Sequence, residues 1–125
     1  MQQAAKLLQD AEKINETTII TQKLPAVPVE QARQALDMIK KKAKSAAVVF
    51  AFAEEDNKVI LIAAVTDDLI KKGLKAGDIV KQIAPIVDGG GGGRPQMAQA
   101  GGKTPGKIDD ALKKANEIIK QKIFE

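Results

Sequence analysis

The chain has 125 residues of which 44% are apolar, enough for one hydrophobic core and incompatible with a wholly disordered tail. It contains neither Cys nor His, which excludes disulfides, thiol nucleophiles, zinc-finger ligand sets and imidazole bases. Twenty Lys and Arg against 16 Asp and Glu leave a net charge of +4, an excess that favours polyanions without resembling a histone-like tail. No apolar run approaches the roughly 20 residues that span a bilayer, and the Gln-rich start lacks a signal-peptide core, so the chain reads as soluble and cytoplasmic.

In residues 2–16, Ala4, Leu7, Leu8, Ala11 and Ile14 fall at helical spacing with charges around the other side, which predicts an amphipathic helix. It has no evident N-cap. The expectation is an arm over residues 1–16 that continues a longer upstream helix; the alternative is an ordinary first helix packed on its own domain. Residues 17–125 then form the globular domain. Residues 17–24 are β-branched and short, predicting a strand that Pro25 and Pro28 end. Residues 29–43 carry an apolar face of Val29, Ala32, Leu36, Ile39 and Ala43 and predict a helix. Lys40, Lys41, Lys42 and Lys44 crowd its last turn. There they suit the helix dipole, and they are also candidates for a polyanion contact.

Residues 46–53 and 59–65 are unbroken apolar runs separated by five polar residues, the pattern of a hairpin covered on both faces. Phe50 and Phe52 read as core side chains, and there is no Tyr or Trp to supply a stacking surface. Thr66 with Asp67 and Asp68 starts a short helix, and Gly73 stops it. A second helix begins near Lys75, with Ile79, Val80, Ile83, Ile86 and Val87 on one face and Pro85 bending or ending it. Residues 96–100 suit a short strand. Thr104 and Pro105 cap and open a last helix striped by Ile108, Ala111, Leu112, Ala115, Ile119 and Ile123. The fold class expected is α/β (α+β), a small mixed sheet with packed helices behind an N-terminal helical arm.

The stretch between these elements is the most unusual. Gly89, Gly90, Gly91, Gly92 and Gly93 follow Asp88 and stop at Arg94 and Pro95. Such a run is either a flexible linker or a structured loop whose unobstructed N–H groups form a nest for phosphate or carboxylate beside the Arg94 guanidinium. The abrupt stop favours the structured loop. A Walker loop ending in Gly102, Lys103 and Thr104 needs glycine where Met97 stands, and a dinucleotide fingerprint from Gly89 needs glycine where Arg94 stands. Both matches fail, and no cofactor is expected in this chain. Arg94 has a second reading, a salt bridge to Asp88 that merely holds the loop.

Gly89 to Pro95, followed by Met97, Ala98, Gln99, Ala100, Gly101 and Gly102 and preceded by Lys72, Gly73, Leu74, Lys75, Ala76, Gly77 and Asp78, resembles the C-terminal domain of alanyl-tRNA synthetases. The likeness is to its globular part, related to the DHH-associated domain that accompanies DHH phosphoesterases. It covers nearly the whole chain, and its specific motif lies in the second half. Asp88 departs from it, standing where another glycine is expected. The resemblance implies a noncatalytic domain whose parent is an ATP-dependent alanine–tRNA ligase. Such a domain binds the outer corner of the alanine tRNA, couples aminoacylation with editing, contacts the other domains of the parent, and pairs with another subunit through its helical segment.

Eighteen Lys against two Arg suit contact with the backbone and shape of folded RNA more than base readout. The candidate RNA- or anion-binding residues are therefore the amides of residues 89–93 and Arg94, helped by Lys103 and Lys107 and by the lysines at 40, 41, 42 and 44. Two other classes compete: the substrate-binding half of a DHH-type phosphoesterase and a structural dimerisation module. In the phosphoesterases, as resemblance has it, a His follows the glycines, whereas this chain has Arg94 there and no His.

Overall fold

The computed structural model describes residues 12–14, 16–25, 28–55 and 57–123. In chain order it shows β1 (Glu12–Ile14), β2 (Thr17–Lys23), α1 (Val29–Lys42), β3 (Ala46–Glu55), β4 (Lys58–Val65), α2 (Asp67–Lys71) and α3 (Ala76–Ile83). A 3-10 turn (Ala84–Val87), β5 (Gly90–Gly93), β6 (Met97–Gly102), a second 3-10 turn (Pro105–Lys107) and α4 (Ile108–Ile123) complete it. The strands make one six-stranded sheet in the order β1-β2-β3-β4-β6-β5. Among the described residues only β2 and β3 run parallel, joined by the α1 crossover, and the other pairs are antiparallel. The expected mixed α/β sheet with packed helices is therefore the fold observed.

The apolar runs of β3 and β4 are buried on both faces because the sheet lies between two helical layers. Alternation sorts their side chains: Val48, Phe50, Phe52, Ile60 and Ile62 meet Leu36 and Ile39 of α1. Val49, Leu61 and Ala63 meet Ile79 and Ile83 of α3 and Ala111, Ala115 and Ile119 of α4 on the other face. Phe50 and Phe52 are thus core side chains with no exposed surface. Gly73 ends α2 with φ +98°, a conformation in which a Cβ would be strained.

The helix expected over residues 2–16 is not what forms at its end. Glu12–Ile14 is a strand that pairs with β2 through a tight turn at Glu16, whose φ is 71°. Backbone pairing with an otherwise open sheet edge, the packing of Ile14 on the core and a 2.6 Å ion pair from Lys120 to Glu12 together outweigh the helical spacing. The rest of that helix lies outside the described residues. Thr66 stands at the N-cap of α2 as expected, but its hydroxyl serves β3 instead, accepting from the Ala46 amide at 3.0 Å and donating to Asp68 at 2.5 Å. Thr104 likewise makes no side-chain cap and donates to the Asp88 carboxylate.

Candidate nucleic-acid interface

The glycine run is neither a linker nor a loop. Gly90–Gly93 is the edge strand β5, paired in register with β6 so that Gly90 faces Gly101, Gly91 faces Ala100, Gly92 faces Gln99 and Gly93 faces Ala98. Glycine is among the poorest of strand formers, so this strand owes its existence to its neighbours. Ala98 and Ala100 belong to the core on the α3 and α4 side, which places Gly91 and Gly93 on that side as well. A Cβ there would lie 2.6 Å from Ala100 Cα at Gly91 and 2.7 Å from Ala98 Cα at Gly93. At Gly89 it would lie 1.7 Å from the Gly101 carbonyl oxygen, and at Gly77 of α3 it would lie 2.9 Å from that of Gly93. These glycines are demanded by the close approach of β5 to β6 and of α3 to β5.

Gly90 and Gly92 are different. They lie on the α1 side of the sheet beside Gln99 and Gly101, and a Cβ at either would meet nothing within 4 Å. The α1-side core draws on β2, β3, β4 and Met97 of β6, but on no residue of β5. With no side chain at Gly90, Gly92 or Gly101, the outer part of the sheet presents a strip of peptide planes on this side, exposed at Gly90 and half-buried at Gly92. Arg33 of α1 leans over it, donating from its guanidinium to Gln99 Oε1 at 3.0 Å. Sequence reasoning missed Arg33, because only the sheet order reveals that α1 borders this strip.

Asp88 occupies the left-handed region at φ 58°, ψ 46°, which explains why a glycine would suit this position and how Asp is tolerated there. Its carboxylate accepts from the Thr104 hydroxyl, and its amide donates to the Pro85 carbonyl at 3.1 Å. The bridge from Arg94 to Asp88, the second reading of Arg94, does not form. The two residues flank opposite ends of β5, and among the described residues Arg94 has no carboxylate within 4 Å. Its amide closes the hairpin, donating to the Met97 carbonyl at 3.0 Å.

The strand registers divide the candidate cations between the two ends of the sheet. Arg94, in the β5–β6 turn, lies at the end where β3 begins and where α1 delivers Lys40, Lys41, Lys42 and Lys44. Lys103 follows the far end of β6, and Lys107 lies in the turn beyond it. At about 3.3 Å per residue, β6 alone separates Arg94 from Lys103 by some 20 Å. Among the described residues these cations make no ion pair except Lys107, which faces Asp110 at 3.9 Å in an exposed contact that contributes at most about 0.5 kcal/mol.

The end that holds Arg94 also carries a polar network. Thr17 and Ser45 hydroxyls lie 3.1 Å apart, and Ser45 and Thr66 both hydrogen-bond Asp68. Burial alone would raise the Asp68 pKa; the hydrogen bonds from Ser45, Thr66 and the local backbone outweigh it and hold the carboxyl below its ordinary 3.8. No helix among the described residues is long and apolar enough to cross a membrane.

Among the described residues, a six-stranded mixed sheet with one helix on one face, three on the other and a glycine edge strand defines a small α/β domain. The model of the DHHA1 domain matches residues 16–121, and the chain belongs to that family. It is 47% identical over 118 residues to an alanine–tRNA ligase of Ligilactobacillus salivarius, covering 94% of this chain and 13% of that protein. The structure is similar to the C-Ala domain of Aquifex aeolicus alanyl-tRNA synthetase, with a TM-score of 0.77, 29% identity, and 88% of this chain and 97% of that one covered. The resemblance to the synthetase C-terminal domain read from the glycine motif is thus borne out. A solved DHH-domain structure from a family of ribosomal proteins shares the fold at a TM-score of 0.66 and 12% identity, covering 94% of this chain and 30% of that one.

Proposed function

We propose that this domain binds tRNA as the noncatalytic C-terminal module of an alanine–tRNA ligase, engaging the outer corner of the alanine tRNA and linking aminoacylation with editing. One observation carries the reading most directly: the fold explains the glycines at 89, 91 and 93 but not those at 90 and 92, which leave strand backbone open beside Arg94. Two successive outward positions without side chains let a large, flat partner come against the peptide planes. RNA recognised by backbone and shape is such a partner, and the uncommitted lysines supply the charge it needs. The kinship with alanine–tRNA ligases supports tRNA as that RNA.

In this reading the reaction chemistry lies in other domains of the ligase, which are the domain's further partners in the cytoplasm. Association with a second subunit belongs to the segment before β1. Arg94 and the bare glycine strip form the centre of the contact. The lysines at 40, 41, 42 and 44 extend it at one end of the sheet; Lys103 and Lys107 meet a separate stretch of the RNA at the other. Titrating the protein with alanine tRNA at salt concentrations from about 50 to about 200 mM tests this, comparing wild type with Arg94→Ala. Binding should weaken with salt along a log–log line, and Arg94→Ala should flatten that line by about one unit and cost about fivefold to tenfold in affinity. Salt-insensitive or absent binding by the wild type sinks the RNA assignment.

A further inference from the structure

The free edge of β5 has its own chemistry, separate from the bare strip on the α1 side. Because the Arg94 amide donates to Met97, ladder alternation turns the N–H and C=O groups of Gly90 and Gly92 inward to β6 and those of Gly91 and Gly93 outward to the edge. Helix α3 runs along that edge, close enough that Gly77 must lack a side chain. Between them lies a cleft of about 100 Å³ lined by Lys75, Gly77, Asp78, Lys81, Gly92 and Gly93, with Pro95 at one end. Lys75 and Lys81 are exposed and, among the described residues, unpaired. Both also border a second groove of about 330 Å³ between α3 and α4. The outer side of α3 is thus a cationic ridge between two depressions.

From this arrangement we infer that the cleft between α3 and the free edge of β5 seats one phosphate of the RNA backbone, held by Lys75 and Lys81 with the outward Gly93 N–H as a further donor. The inference rests on the domain's binding tRNA and extends that contact around the edge of the sheet onto its second face. Size and cover argue against the other common occupant of a sheet edge, an added peptide strand. At about 100 Å³ the cleft is small and suits a compact group such as one phosphate. A strand would need the whole length of the edge, and α3 lies against it at Gly93, where Gly77 must lack a side chain. Two lysines beside the unobstructed Gly93 N–H give a point-charge site that tolerates any nucleotide, as backbone contact requires. Asp78 lies in the same cleft and opposes an anion, which gives the site a contact whose removal should improve binding.

The test is a tRNA titration over the same salt range with wild type, K75A/K81A, K75R/K81R, Asp78→Asn and K113A/K114A, a lysine pair on α4 outside both depressions. All the altered residues are exposed, and circular dichroism checks each fold. K75A/K81A should bind about tenfold more weakly at the lowest salt, with the log–log slope shallower by about one unit. The arginine pair should restore both, and Asp78→Asn should bind about twofold to threefold more tightly. The inference is overturned if K75A/K81A keeps the wild-type slope, or if K113A/K114A flattens it equally, since that marks bulk charge alone. Should wild type bind while K75A/K81A is unaffected, only the cleft assignment fails. Absence of binding by the wild type removes the RNA reading and the cleft with it.

Discussion

The two faces of β5 are made of the same residue for opposite reasons. On the α3 and α4 side glycine is there because anything larger collides: a Cβ at Gly91 would sit 2.6 Å from Ala100. On the α1 side nothing lies within 4 Å of a Cβ at Gly90 or Gly92, so the fold would accept a side chain. A glycine in a strand interior carries an entropic cost of roughly 0.5–1 kcal/mol relative to Ala. On the packed face the close approach of strand and helix offsets that cost. On the open face no contact of a side chain would, and in the proposed function the RNA supplies the compensation.

Substitutions at alternate positions should therefore separate stability from binding. The largest effect is expected at Gly89 and Gly91: Gly89→Ala, whose Cβ would lie 1.7 Å from a carbonyl oxygen, should cost more than about 3 kcal/mol, and Gly91→Ala about 1–3 kcal/mol, in urea unfolding. Next comes Gly92→Val, which adds a β-branched residue on the open face. It should leave stability within about 0.5 kcal/mol or raise it by up to about 1 kcal/mol, while tRNA affinity drops about tenfold. Equal losses of stability at 91 and 92 would erase the distinction between the faces. A loss of stability at 91 with unchanged affinity at 92 would leave the open face without its partner.

A smaller effect sharpens the comparison from outside it. Asp68 lies in the polar network beneath the Arg94 end of the sheet, on neither face of β5. Its pKa is depressed in the folded state, so its contribution is complete above the unfolded carboxylate pKa of about 4 and is lost as pH falls through the lower folded value. Asp68→Asn should match wild type in the pH dependence of its urea midpoint above about pH 5 and lose less stability than wild type between about pH 4 and about pH 2. Parallel curves throughout that range would show that the network does not hold the carboxylate.

The elements written in local pattern were legible from the residues. The unbroken apolar runs of β3 and β4, the Gly73 stop and the stripe of α4 each follow from a periodicity that packing then uses without alteration. Gly90–Gly93 was not legible as a strand, because strand propensity argues against it and the deciding contacts come from β6 and α3. Glu12–Ile14 failed in the opposite sense: helical spacing was present, but pairing with β2 and the ion pair to Lys120 prevailed.

The site divides along the same line. The motif located Arg94 and the glycines, and composition identified lysine as the dominant cation. Which lysines lie together depends on the register and on which edge α3 borders, so Lys75 and Lys81 were not among the candidate cations while Lys103 proved to be a strand's length from Arg94. The basic cluster at the end of α1 and the arginine after the glycines share one end of the sheet, a proximity invisible to spacing.

The sheet order also makes the domain a spacer. Strand β1, the first described element of the chain, lies at one edge and β5 at the other, with four strands between. At about 4.8 Å per strand the two edges stand some 24 Å apart. A partner held along β5 is thereby kept clear of whatever adjoins β1, so the two edges can be occupied at once without collision. The two edges are too far apart to touch and are joined through the packed sheet and through α4, which pairs with Glu12 of β1 and shares a core with α3.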